Sequence, residues 1–194
     1  MNDQPIFLSA SVPERELDTY IPDPVAIRDA VRALVAETVR KRMLVFGGHP
    51  AISPLVHHAA DDLGAIDNVR IYQSEFFRPV IPPVAQQFPH LIWTSIVGNN
   101  RKLSLIEMQT RMIDSQQFAA GVFIGGMDGV EDEWTMFTLR YPHVPVYPIA
   151  STEGAARLLW ASWQPPQVPQ ISYNLKDRLA QDLDYRSLFN DLLG

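Results

Sequence analysis

GVFIGGMDGVEDEW, residues 121–134, decides how this chain is read. Val122, Phe123 and Ile124 form an apolar run with no polar alternation, the mark of a strand covered on both faces, as in a parallel sheet. Gly125 and Gly126 interrupt it, and Gly129 and Val130 open a helical pattern. Glu131, Asp132 and Glu133 fall in the first helical turn, where carboxylates complement the helix dipole. Strand, glycine bend and helix in immediate succession make the βα unit of an open α/β sheet.

The same order recurs along the chain. Apolar, β-rich runs occupy residues 5–9, 43–46, 69–72, 91–96, 121–124 and 144–149. Helical patterns separate most of them. One follows Asp23-Pro24, where aspartate suits the cap and proline the first helical position, with Ile27, Val31, Leu34 and Val35 at helical spacing. Others are predicted over 53–63, 101–114, 130–139 and 152–160. The expected fold is therefore α/β, a Rossmann-like, doubly wound and mainly parallel sheet with helices on both faces. Residues 1–162 are read as this domain. Residues 163–194 are read as a proline-rich linker (164–169) and one last helix carrying Leu175, Leu179, Leu183, Leu188 and Leu192, packed on the domain or on a second subunit.

Composition narrows the function. The 194 residues contain no cysteine, which excludes thiolate catalysis and cysteine zinc sites and agrees with a cytoplasmic location. The histidines show no metal-ligand spacing, so neither a metal nor another cofactor is expected. No apolar stretch approaches the ~18 residues of a membrane span, so no membrane partner is expected. A formal charge of -6 with no basic block disfavours nucleic acid as a partner. A small anion remains compatible, because backbone dipoles hold it whatever the net charge.

In open α/β sheets ligands bind beyond the carboxyl ends of the strands. Those ends here read Ser9-Ala10-Ser11, Gly47-Gly48-His49, Gly125-Gly126-Met127-Asp128-Gly129 and Ser151-Thr152-Glu153-Gly154. Glycine permits close backbone approach and leaves amides free to meet an anion. Ser9, Ala10, Ser11, Gly47, Gly48, His49, Gly125, Gly126, Met127, Asp128, Gly129, Thr152 and Gly154, with the nearby Arg101 as a phosphate partner, form the predicted ligand site. Three consecutive acids would repel a phosphate on their own turn, so Glu133 suits ribose hydroxyls or acid/base work at the sugar. Neither a P-loop nor Gly-x-Gly-x-x-Gly occurs, and no nucleophile elbow surrounds the serines.

Residues 121–134 resemble the strand–loop–helix of the SLOG superfamily, which includes the LOG phosphoribohydrolases and the DNA-processing DprA proteins. LOG enzymes carry Pro-Gly-Gly-x-Gly-Thr-x-x-Glu at this point. Gly125, Gly126, Gly129 and Glu133 match its glycines and glutamate with one residue inserted, while Ile124 and Val130 stand in place of the proline and threonine. VFGGHPAISPLVHHAA (45–60) resembles the family's other glycine-rich turn, and the likeness covers roughly residues 5–160. With FLSAS (7–11) and ASTEGAA (150–156), the motifs look most like prokaryotic SLOG branches linked to conflict and antiphage systems, which sense or process nucleotides.

The resemblance implies a nucleotide-type small molecule as ligand, a homo-oligomer, and output through assembly or an effector protein. It also implies a catalytic arginine in the helix before the motif. That place falls at or near Gln109, with Arg111 two residues on, a step of ~200° around a helix. Glu133 and Arg111 are therefore the catalytic candidates if the chain is an N-glycoside hydrolase. A nucleotide sensor and a structural, oligomer-forming subunit are the other expectations.

Overall fold

The computed structural model describes residues 4–13, 23–165 and 174–194. Six strands form one parallel sheet: β1 (Ile6–Ser11), β2 (Leu44–Gly47), β3 (Val69–Ser74), β4 (His90–Thr94), β5 (Ala120–Gly125) and β6 (Val146–Ile149). Their spatial order is β4-β3-β2-β1-β5-β6. The chain thus winds one way from β1 to β4 and the other way through β5 and β6. The reversal lies between β1 and β5, whose register runs from Ile6↔Ala120 to Ser11↔Gly125.

Alternation along β1 shows why the strands read as continuous apolar runs. Ile6 and Leu8 enter the core beneath α1 (Pro24–Thr38) and α2 (Ser53–Asp62). Phe7 points the other way, stacking on Phe137 with ring centroids 4.8 Å apart and meeting Phe118 edge-on. That second core lies under α3 (Arg101–Ile113), α4 (Asp128–Arg140) and α5 (Gly154–Ser162). Both faces are covered, so a polar residue at either parity would be desolvated. The doubly wound α/β architecture read from the sequence is the one observed.

The local signal predicted at the first helix acts as expected, and a second side-chain cap starts α3. Asp23 accepts a hydrogen bond from Ala26 N at 2.9 Å, with Pro24 at the first helical position. Asn100 caps α3 by accepting from Leu103 N at 3.1 Å. The fourth strand stops at Thr94, and Ile96 is exposed. Helix α5 starts two residues later than predicted, because Ala150–Thr152 form a separate 3-10 turn and Glu153 adopts a positive φ of 56°.

The chain's end departs further from expectation. Instead of one helix there are two, α6 (Leu175–Gln181) and α7 (Tyr185–Leu193). Asp182 is extended, and Asp184 starts the second helix by accepting from Ser187 N at 3.2 Å. The leucine spacing therefore spans a break, and Leu183 is 70% exposed. Arg178 ties the halves together through Asp182 and Asp191, both at 2.8 Å. Leu175, Leu179, Leu188, Phe189 and Leu193 join the core shared with α1. The predicted linker lies outside the described residues from position 166 on.

Candidate functional site

At the β1/β5 reversal the connections from the two strands leave to opposite faces of the sheet, the position at which open α/β sheets take their ligands. Gly125 and Gly126 end β5 there with φ of 56° and 86°. A methyl group at Gly125 would lie 2.4 Å from Ile27 Cδ1, and one at Gly126 would lie 2.2 Å from Val130 Cγ2. Gly154 comes from the opposite side, its own would-be methyl 2.7 Å from the Gly126 carbonyl oxygen. Thr152 completes the clasp. Its hydroxyl accepts from Gly125 N at 2.8 Å and donates to the Ile149 carbonyl, while Ala155 N donates to Gly126 O at 2.9 Å. Glycine here serves close packing of three backbone segments.

Next to this clasp, two residues back along β1, lies a polar cluster. Glu133, on the inner side of α4, accepts from Gln109 Nε2 at 3.4 Å. A methyl group at Gly47 would stand 3.6 Å from Glu133 Oε1 and 3.3 Å from Met108 Cε. The Ser9 hydroxyl is buried beside the carboxyl and makes no hydrogen bond of normal geometry. Four elements, β1, β2, α3 and α4, thus bring Ser9, Gly47, Gln109 and Glu133 to one place. Glu133 retains some water contact, yet enough protein surrounds its charge to desolvate it. Burial, reinforced by the charge of Asp132, pushes its carboxyl up to about 7 against the opposing pull of the Ser9 and Gln109 side chains.

The predicted residues fall into distinct groups. Ser9, Gly47 and Glu133 meet in the polar cluster, and Ser11, Gly125, Gly126, Thr152 and Gly154 meet in the clasp. Ala10, paired with Ile124, links the two. Gly48 donates to Tyr72 O at 2.8 Å and packs on Gln73. His49 Nδ1 accepts from Ala51 N at 3.2 Å, stabilising its own bend. Met127 precedes α4 and its carbonyl accepts from Val130 N, while Asp128 and Gly129 are exposed on the first turn. Two expected roles change. The Thr152 hydroxyl is engaged within the fold, and the Gly125 amide it holds is not directed at a ligand.

Arg111 is not brought to Glu133. It lies on the exposed side of α3, paired with Glu107 at 2.9 Å. Gln109, two residues earlier and buried, takes the inward position. Its signal in the sequence was its place in the helix, since Gln109, Met108 and Met112 share the inner face. A groove of about 640 Å³ runs between α3 and the edge strand β4, lined by Tyr72, Ile92, Thr94 and Arg111 among others. The convergence of polar groups with a shifted carboxyl nevertheless favours the β1/β5 edge as the candidate site. Among the described residues no helix is long and apolar enough to cross a membrane.

Comparison with known proteins agrees with this architecture. The profile of the SLOG cluster3 family matches residues 19–193, a span that includes both C-terminal helices. None of the curated proteins matches the chain. Among solved structures, the chain is similar to the X-ray structure of TM1055, Northeast Structural Genomics Consortium target VT76. The two share 15% identity with a TM-score of 0.57, over 83% of this chain and 82% of that one, a likeness of fold.

Proposed function

This chain belongs to the SLOG cluster3 family, and from that premise we propose that it is a nucleotide-binding module receiving a nucleotide or nucleotide-derived signal at the carboxyl edge of its sheet. The observation that carries the reading is the convergence of Ser9, Gly47, Gln109 and Glu133 at the topological switch point. A carboxyl flanked by an amide and a hydroxyl, with no cation bonded to it among the described residues, is suited to sugar hydroxyls and, when ionised, would repel a phosphate. The ribose therefore lies at Glu133 and the phosphate lies away from it. Output passes through self-assembly or an effector protein, and the resemblance of the four strand-end motifs to defence-linked branches supports a place in antiphage signalling.

Calorimetric titration with a panel of linear, cyclic and ADP-ribose-type nucleotides tests this reading. At least one is expected to bind the wild type, and Gly47→Ala is expected to weaken that binding while the protein stays folded. The added methyl would stand 3.3 Å from the flexible end of Met108 and 3.6 Å from Glu133 Oε1, at a position where the glycine has an ordinary φ. Silence of folded wild-type protein across the whole panel rejects the reading.

One observation favours a second reading, N-glycoside hydrolysis. A carboxyl raised to about 7 is poised to exchange a proton near neutral pH. Base release from AMP-like substrates, lost by two orders of magnitude or more in Glu133→Gln (roughly what removal of a general acid costs), would establish it. Turnover undiminished in that variant would eliminate Glu133 as the proton donor.

A further inference from the structure

The sheet has two edges, and they differ in how they meet a further strand. At one edge β6 carries Pro148, which has no amide hydrogen to offer. At the other, β4 reads His90-Leu91-Ile92-Trp93-Thr94 and contains no proline, lysine or carboxylate, the usual devices that keep an edge from pairing. Ile92, Trp93 and Thr94 instead favour a strand. β4 pairs with β3 on one side and has no strand neighbour on the other among the described residues.

The groove of about 640 Å³ runs along this open edge. Ile92, Trp93, Thr94 and Ser95 line it in succession, although Ile92 packs toward the core under α3 and Trp93 toward the opposite one. Successive side chains leave a strand on opposite faces, so the groove reaches the main chain of β4 itself. Its other wall is α3. Arg78 is stacked on Trp93, and the guanidinium of Arg101, at the start of α3, lies 5.6 Å from the Phe77 ring centroid. Arg111 is the arginine that lines the groove, with Glu107 one helical turn before it. Its side chain is 69% exposed.

We infer that this edge is a self-association face, at which a second copy of the chain lays its own β4 antiparallel to this one across a two-fold axis perpendicular to the sheet. The six strands of each copy then form one continuous sheet. That operation keeps both α3 helices on the same face and sets them antiparallel. α3 packs over β2, β3 and β4 and is therefore centred near β3. Three strand spacings, about 14 Å, then separate it from its mate. Helices in direct contact lie about 8–10 Å apart, so the seam suits long charged side chains. Glu107 and Arg111 have opposite signs and lie one turn apart on the groove wall. An antiparallel mate brings the partner's Arg111 to Glu107 and the partner's Glu107 to Arg111. A two-fold interface requires such self-complementarity, and it selects a copy of this chain as the occupant.

Sedimentation equilibrium of the full chain, free of nucleotide, reads the association, and the wild type is expected to dimerise. Arg111→Glu sets four carboxylates against one another and is expected to weaken the dimer roughly tenfold or more. Its circular dichroism should match wild type, because the side chain is exposed. The reciprocal double variant, Glu107→Arg with Arg111→Glu, restores the opposite pairing and should regain wild-type association to within about threefold. Amides of residues 90–94 should exchange with solvent more slowly in the dimer than in Arg111→Glu. A wild type that stays monomeric, a dimer indifferent to Arg111→Glu, a double variant as weak as the single one, or β4 exchange unchanged by dimerisation each overturns the inference. None of these outcomes bears on nucleotide binding at the β1/β5 edge.

Discussion

Gly154→Ala is expected to destabilise the protein by about 2–4 kcal/mol, from a positive-φ cost of roughly 1–2 kcal/mol plus overpacking of similar size. The new methyl would stand 2.7 Å from the Gly126 carbonyl oxygen and 3.1 Å from backbone atoms of both Gly125 and Gly126. Backbone atoms held by Thr152 and Ala155 cannot rotate aside as a flexible side chain would. The expected fall in melting temperature is roughly 5–15 °C for a domain of this size. Gly98 provides the control, with a φ of 56° and open space around it. Gly98→Ala should therefore lose only about the 1–2 kcal/mol of backbone strain. Equal losses in the two variants would show that the three segments of the clasp are not in close contact.

Glu133→Gln is expected to be more stable than wild type above about pH 7 and equal to it below about pH 4.5. A carboxyl raised from 4.5 to about 7 holds its proton more tightly in the folded protein than in the unfolded chain. Wild-type stability therefore declines as pH rises through that window, then levels off with the penalty fully present. Glutamine has nearly the same shape, keeps hydrogen-bonding capacity toward Gln109 and Ser9, and never ionises. The full shift corresponds to about 3 kcal/mol, and the water that reaches Glu133 reduces the expected gain at pH 8 to about 1–2 kcal/mol. Thermal melts of both proteins between pH 4 and pH 8.5 would reveal it. A difference that does not change with pH would mean that the carboxyl is not desolvated. The same substitution should weaken nucleotide binding, so stability and function are predicted to move in opposite directions at this residue.

Much of the fold was legible because both faces of the sheet are covered. That coverage leaves runs such as Phe7-Leu8 and Val122-Phe123-Ile124 apolar at every position, and the glycine bends mark where β2 and β5 end. Glu133 could be selected among three consecutive acids, and it is the one that meets Gln109 and the end of β1. Two readings failed for identifiable reasons. Leucine spacing across residues 175–192 continued through a break, because Asp184 caps a new helix more favourably than Leu183 extends the old one. Arg111 looked like a partner for Glu133 because charge is conspicuous in sequence. The direction in which a helix presents it is set by packing, and the inner face went to Met108, Gln109 and Met112.

The amino-acid sequence by itself determined the layered α/β architecture, the starts of the first and third helices, and the edge of the sheet at which polar and glycine-rich loops collect. Those features follow from local periodicity, capping chemistry and backbone freedom, which act over a few residues. Only the tertiary structure decided the strand order, and with it that Ser9, Gly47, Gln109 and Glu133 meet in one polar cluster although they lie far apart along the chain. It also turned the glycines of β5 into a packing clasp and moved the carboxyl of Glu133 toward neutrality. Desolvation and close backbone approach depend on which segments meet in space, and no local pattern encodes that meeting.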